Sequence, residues 1–141
     1  MILVDTSAWI ASFKKVGNHD LKEFIRQAIV SGDAVTSPII ILELLQGCRS
    51  VEEQDSLRIK LESLDILPIT PVVWEQAYEL GFSLRRQGLT IPTVDLIIAA
   101  LALENRTFLL HHDEHFEMIV PYFPNLQTRC WNCGETSKAR D

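Results

Sequence analysis

The sequence predicts an α/β fold built around a central, mostly parallel sheet. Short apolar runs (Ile2-Leu3-Val4, Ala34-Val35-Thr36, Ile66-Leu67-Pro68-Ile69 and Thr107-Phe108-Leu109-Leu110) are separated by longer stretches of helical character. Strands that alternate with helices imply a layered sandwich. The runs also lack apolar–polar alternation, as parallel strands covered on both faces do. Finally, 141 residues with 47% apolar content suit one buried core, so a single domain is expected.

Ile2-Leu3-Val4 reads as a buried strand that ends at Asp5. Thr6-Ser7 then open a helix carrying Ala8, Trp9, Ile10 and Phe13, which breaks at Val16-Gly17-Asn18. Leu21, Phe24, Ile25, Ala28 and Ile29 recur at steps of three and four, the mark of an amphipathic helix. After the strand Ala34–Thr36, Ser37-Pro38 reads as a capping hydroxyl with proline at the first helical position. That helix stops near Gln46-Gly47, and a charged helix spans Val51 to Leu64. Proline within Ile66–Ile69 places the third strand near an edge. Helices from Val72 to Gln87 and from Val94 to Glu104 precede the strand Thr107–Leu110. A short helical stretch follows Asp113, and Leu126-Gln127-Thr128 reads as a last strand. The polar end from about Gly134 reads as disordered.

No internal repeat or low-complexity tract is present. Met1–Val4 lacks the basic start of a signal peptide. The longest apolar run, Leu96 to Leu103, falls short of the roughly 20 residues a membrane span needs. Three cysteines, Cys48, Cys130 and Cys133, do not make a disulfide framework and suit a reducing cytoplasm. A net charge of -6 argues against a simple basic nucleic-acid binder. It suits a chain that gathers carboxylates around a divalent cation, or one with a basic partner.

In α/β folds ligands sit beyond the carboxyl ends of the strands. Asp5 follows the first strand directly, and Asp113 follows Leu109-Leu110 closely. Either acid alone is equally well read as a helix cap. Glu43 is different, because it lies in the apolar helix Ile39-Ile40-Ile41-Leu42-Glu43-Leu44-Leu45. A dehydrated carboxylate there needs a lysine, an arginine or a metal. Asp95 opens the helix Val94–Glu104, where capping again competes. The four acids have a joint reading as a site for magnesium or manganese, which take oxygen ligands. Such an ion lowers the pKa of a bound water and so supplies a nucleophile for phosphoryl chemistry. No Ser-His-Asp pattern, phosphate-binding glycine loop or HExxH motif offers a competing mechanism.

These residues resemble a known family. Ile2-Leu3-Val4-Asp5-Thr6-Ser7 resembles the opening of PIN-domain nucleases, and Glu43 before Gln46-Gly47 resembles their second acidic motif. Ala77-Tyr78-Glu79-Leu80-Gly81 through Ile91-Pro92-Thr93-Val94-Asp95-Leu96-Ile97-Ile98-Ala99-Ala100 is the most specific match. Leu109-Leu110-His111-His112-Asp113-Glu114-His115-Phe116 resembles the last acidic motif. The match covers about residues 1 to 128 in one register, leaving 129–141 as a tail, and its size and third motif point to VapC-type toxins. The resemblance implies a PIN-like α/β/α sandwich and a metal-dependent endoribonuclease. It implies a cytoplasmic homodimer held in check by a VapB-type antitoxin. Asp5, Glu43, Asp95 and Asp113 would hold the metal, with Thr6 and Ser7 supporting them. His111 stands where the family usually has Thr or Ser. It would donate a similar hydrogen bond, or contact phosphate when protonated.

Two other readings stay open. A metal-dependent phosphatase could use Asp5 as a nucleophile, although position 7 is Ser and the Asp-x-Asp pair of haloacid dehalogenases is absent. A non-catalytic PIN-like module would bind RNA or protein without cleaving it. Cys130-Trp131-Asn132-Cys133 resembles half of a zinc ribbon, but no second CxxC supplies the other half. Two free thiols on a tail are the plainer reading, with zinc shared between two chains as the alternative. His111, His112 and His115 read as surface or RNA-contacting residues, and Arg49, Arg85 and Arg86 as phosphate contacts or a solvated face. The apolar residues Trp9, Phe13, Phe24 and Ile25 read as core or as an interface groove.

Overall fold

The computed structural model describes residues 1–133. Within them, β1 (Ile2–Val4), β2 (Ala34–Thr36), β3 (Asp65–Ile66), β4 (Phe108–His111) and β5 (Thr128–Cys130) form one sheet. The strand order is β3-β2-β1-β4-β5 and every pairing is parallel. The connections hold α1 (Thr6–Ser12), α2 (His19–Val30), α3 (Pro38–Gln46), α4 (Val51–Glu62), α5 (Pro71–Arg86), α6 (Thr93–Asn105) and α7 (Glu114–Ile119). The expected α/β architecture is therefore present.

Successive side chains of a strand face opposite sides of the sheet. Leu3 and Val4 on β1 and Leu109 and Leu110 on β4 are all fully buried, so helices cover both sheet faces there. This explains why the central strands read as unbroken apolar runs. The same holds for α6, where Ile97 to Ala102 are all buried. Helix α5 packs against it, and a Cβ at Gly81 would come within 3.2 Å of Leu96 Cδ1. Gly81 thus lets the two helices approach closely.

The break between α1 and α2 is a left-handed turn, with φ of 80° at Gly17 and 57° at Asn18. Asn18 tolerates this conformation and ties the turn back through its Nδ2, which donates to Ala11 O.

Three local expectations need correction. Strand β3 covers only Asp65–Ile66 rather than 66–69. Leu67 N still donates to Thr36 O, but Pro68 has no N–H to continue the ladder, and the strand does lie at the edge. Strand β5 begins at Thr128 rather than Leu126. Leu126 is instead buried as an anchor, and pairing with β4 starts where Leu109 N donates to Gln127 O. Ser37 occupies the N-cap of α3, but its hydroxyl makes no cap bond and is buried without a partner. The part of the expected disordered tail from 134 to 141 lies outside the described residues. Among those described, no helix is long and apolar enough to cross a membrane.

Ile98 is fully buried at the centre of α6. Ile98→Ala is expected to lower unfolding stability by about 2–5 kcal/mol through lost burial and a residual cavity. Urea denaturation should show a lower midpoint with an unchanged slope.

Candidate metal centre

The chain runs from β1 to β2 and β3 on one side of the sheet, then returns to β4 and β5 on the other. The order therefore reverses between β1 and β4, and the segments leaving these two strands diverge and open a crevice. Asp5 and Asp113 lie on those two segments. Asp5 N donates to Leu110 O, which extends the β1–β4 pairing to the first acid itself.

Asp5 is 2% exposed and caps α1. Its Oδ2 accepts from both the backbone N–H and the hydroxyl of Ser7. Its Oδ1 is buried and has no hydrogen-bond partner among the described residues. Capping therefore uses one oxygen of this carboxylate and leaves the other free for a different partner. The Ser7 hydroxyl also accepts from His112 N, tying the segment after β1 to the segment after β4.

Glu43 is half-buried on α3, and Thr6 Oγ1 donates to its Oε1 at 2.7 Å. A lysine, an arginine or a metal was expected beside this carboxylate. No lysine or arginine pairs with it among the described residues, where such pairs are Arg26–Glu23 and Arg58–Glu62 on exposed helix faces. Asp95 sits in the first turn of α6 and Asp113 caps α7, accepting from His115 N. His115 Nδ1 bridges the two, 3.1 Å from Asp95 Oδ2 and 3.0 Å from Asp113 Oδ1.

The electrostatics show that the acids form one group. Burial raises the Asp5 carboxyl from 3.8 to about 6 against the lowering effect of Ser7, and Asp95 and Glu43 add repulsion. Asp95 is likewise pushed up to about 6, by burial first and then by the charge of Asp113. Asp95 also feels Glu43, so all four acids are linked. A buried, partnerless Asp5 oxygen within a set of repelling carboxylates fits a hard divalent cation.

His111 is fully buried and does not face solvent, so the expected phosphate contact is not available to it. Its Nδ1 accepts from Asp113 N and its Nε2 lies 2.8 Å from Glu117 Oε1. Burial lowers its pKa, which keeps the ring neutral, and it fixes the backbone entering Asp113. His112 is exposed and contacts Trp131 O. Among the expected phosphate contacts, Arg49, Arg85 and Arg86 are exposed and outside every ion pair found among the described residues, and Arg86 stacks on Phe82. Sequence reasoning missed His115 as a member of the acidic cluster. Its signal was the Asp113-x-His115 spacing at a helix start, which lets the side chain fold back to its own cap. Cys130 and Cys133, expected as free thiols on a tail, are paired sulfur to sulfur at the end of β5.

Comparison with known proteins bears on this site. The PIN domain family model matches residues 2–120. VapC ribonuclease Mb1587 from Mycobacterium bovis is 29% identical over 125 residues, covering 85% of this chain and 92% of the relative. Ribonuclease VapC11 from Mycobacterium tuberculosis matches with the same identity and coverage. Among solved structures, VapBC2 from Rickettsia felis, bound to a DNA fragment from its promoter, superposes with a TM-score of 0.75 at 24% identity. That alignment covers 93% of this chain and 99% of the other, a likeness of fold.

Asp5 and Asp95 hold protons more tightly in the folded chain than at their ordinary 3.8. The stability this contributes is complete below 3.8 and is lost as pH rises through about 6. Metal-free protein should therefore lose thermal stability between these values. Manganese should raise Tm more at about pH 7.5 than at about pH 5, because the ligands must be deprotonated to bind it. Asp5→Asn should raise Tm of the metal-free protein at neutral pH and reduce the manganese shift. Differential scanning fluorimetry reads all three effects.

Proposed function

The chain belongs to the PIN domain family, and from that premise we propose that it is a metal-dependent endoribonuclease, the toxin of a VapBC-type toxin–antitoxin pair. The observation that carries this reading is the set Asp5, Glu43, Asp95 and Asp113, gathered beyond β1 and β4 with no lysine or arginine partner among the described residues. Similarity to mycobacterial proteins named as VapC ribonucleases supports RNA as the substrate.

In this reading the four carboxylates would hold magnesium or manganese, which would supply a water of lowered pKa and charge neutralisation at the scissile phosphate. Ser7 fixes one Asp5 oxygen and leaves the other to face the site. Thr6 sets the rotamer of Glu43 across 37 residues of chain. His111 anchors the Asp113 backbone, and His115 spans the Asp95 and Asp113 oxygens that the cation would claim. No side chain is assigned as a covalent nucleophile. The presence of all four acids favours this reading over a non-catalytic PIN-like module, whose expected sign is the loss of an acid.

The inhibitory partner is a VapB-type antitoxin. A groove lined by Trp9, Phe13, Ile25 and Ile29, with Lys60 and Arg26 at its rim, suits an apolar segment carrying acidic residues. Trp9 and Ile25 are its buried floor, whereas Phe13 is 46% exposed, so the apolar residues on α1 and α2 divide between core and groove. For the homodimer, Trp74, Tyr78 and Phe82 form an exposed row one helical turn apart on α5, a face suited to a second copy. Action on RNA places the protein in the cytoplasm.

The test is cleavage of total cellular RNA by antitoxin-free protein with manganese, magnesium or chelator. Cleavage is expected with either ion and not with chelator. Several kcal/mol of metal assistance correspond to a loss of about 100- to 1,000-fold in Asp5→Asn and Asp95→Asn. Activity that persists undiminished in both variants would remove the acidic site from the reaction. Absence of cleavage on total RNA and on a panel of structured RNAs would favour the binding module.

A further inference from the structure

A second cluster of metal-ligating groups lies at the ends of β4 and β5. Cys130 closes β5 and stands in register with His111 of β4. Cys133 lies three residues on, with its Cα 5.5 Å from that of Cys130. Ligand atoms of His111, Cys130 and Cys133 all lie within 4.8 Å of one another. We propose that, in the reduced chain, these three residues bind one zinc-class divalent cation at a centre separate from the acidic site.

The chemistry of the donors separates the two centres. Two thiolates and an imidazole select a borderline or soft ion such as zinc, whereas the carboxylates select a hard one. The third ligand answers the missing half of the zinc motif. It comes from a neighbouring strand, so spacing along the chain does not reveal it. Three protein ligands leave the fourth tetrahedral position to water or another small donor.

One of the two hydrogen bonds of the His111 ring suits this role, and the other gives way to it. Its Nδ1 accepts from Asp113 N and therefore carries the lone pair, so Nε2 carries the proton and donates it to Glu117 Oε1. The same Glu117 oxygen accepts from Thr128 Oγ1. A ligating histidine that donates its other N–H to a carboxylate is the usual support of a bound metal. Binding through Nδ1 exchanges the Asp113 N–H contact for the ion. The pairing of the two sulfurs seen in the structure is the alternative fate of the same thiols.

The test uses full-length protein purified under reducing conditions, stripped of metal and titrated with cobalt(II) beside excess magnesium. One cobalt per chain should bind, with near-ultraviolet thiolate-to-cobalt charge transfer and the visible bands of tetrahedral coordination. Zinc should displace it. Cys130→Ser and Cys133→Ser should abolish the charge-transfer spectrum, while Asp5→Asn should keep it, which separates this centre from the acidic one. Glu117→Gln should weaken cobalt binding by about 10- to 100-fold. His111→Asn, if folded by circular dichroism, should lose the one-per-chain spectrum, and Glu117→Gln carries the test if it is not. No charge-transfer band despite two titratable thiols would overturn the proposal. So would thiols that stay paired under reductant, or one cobalt per two chains unaffected by the His111 and Glu117 variants.

Discussion

The parallel pairing of β1 with β4 is the constraint on which the site depends. Both strands are short, three and four residues, and their paired residues Leu3, Val4, Leu109 and Leu110 are fully buried. Because side chains alternate across the sheet, a slip of one residue would turn an entire strand inside out. The register is thus set by burial on both faces. It carries Asp5 and Asp113 to the same edge, and the contact of Asp5 N with Leu110 O holds the first acid to the neighbouring strand. Ser7 adds a cross-tie by joining the Asp5 carboxylate to His112 N. The acidic cluster is in this sense an extension of the sheet's hydrogen-bond ladder.

The core around that edge works against the charges it positions. Burial raises Asp5 and Asp95 to about 6, and the acids repel one another. Hydroxyls from Thr6 and Ser7 orient the carboxylates but bring no compensating charge. The fold therefore holds carboxylates whose burial and mutual repulsion oppose their charge, a common balance between stability and function. The imidazole of His115 meets oxygens of two of these acids, Asp95 and Asp113.

His111 connects this edge to the outer strand. One ring nitrogen faces the backbone of Asp113, the other faces Glu117, and Cys130 lies beside it in register. His111 is thus shared by two groups, the backbone that enters the acidic cluster and the cysteine pair of the outer strand. Trp131 continues the connection, since its N donates to His111 O and its O meets the His112 ring. Whatever occupies the cysteine pair therefore touches the same short segment that presents Asp113.

By itself the sequence determined the layers, the parallel character of the sheet and the four acids, because each rests on a local signal. Unbroken apolar runs require burial on both faces, and Glu43 stands out against Ile39–Leu45 because an acid in an apolar helix needs an explanation. The family motifs added the order in which the acids come together. Tertiary structure decided the rest through contacts between residues far apart in sequence. It set the end of β3 and the start of β5, which follow from partner strands, and it brought the hydroxyl of Thr6, rather than a lysine or arginine, to Glu43. It also turned three histidines of one segment to three different surroundings, one buried, one against Trp131 and one between two acids. Sequence spacing gives the position of a side chain along one element, whereas ligand geometry is made where several elements meet.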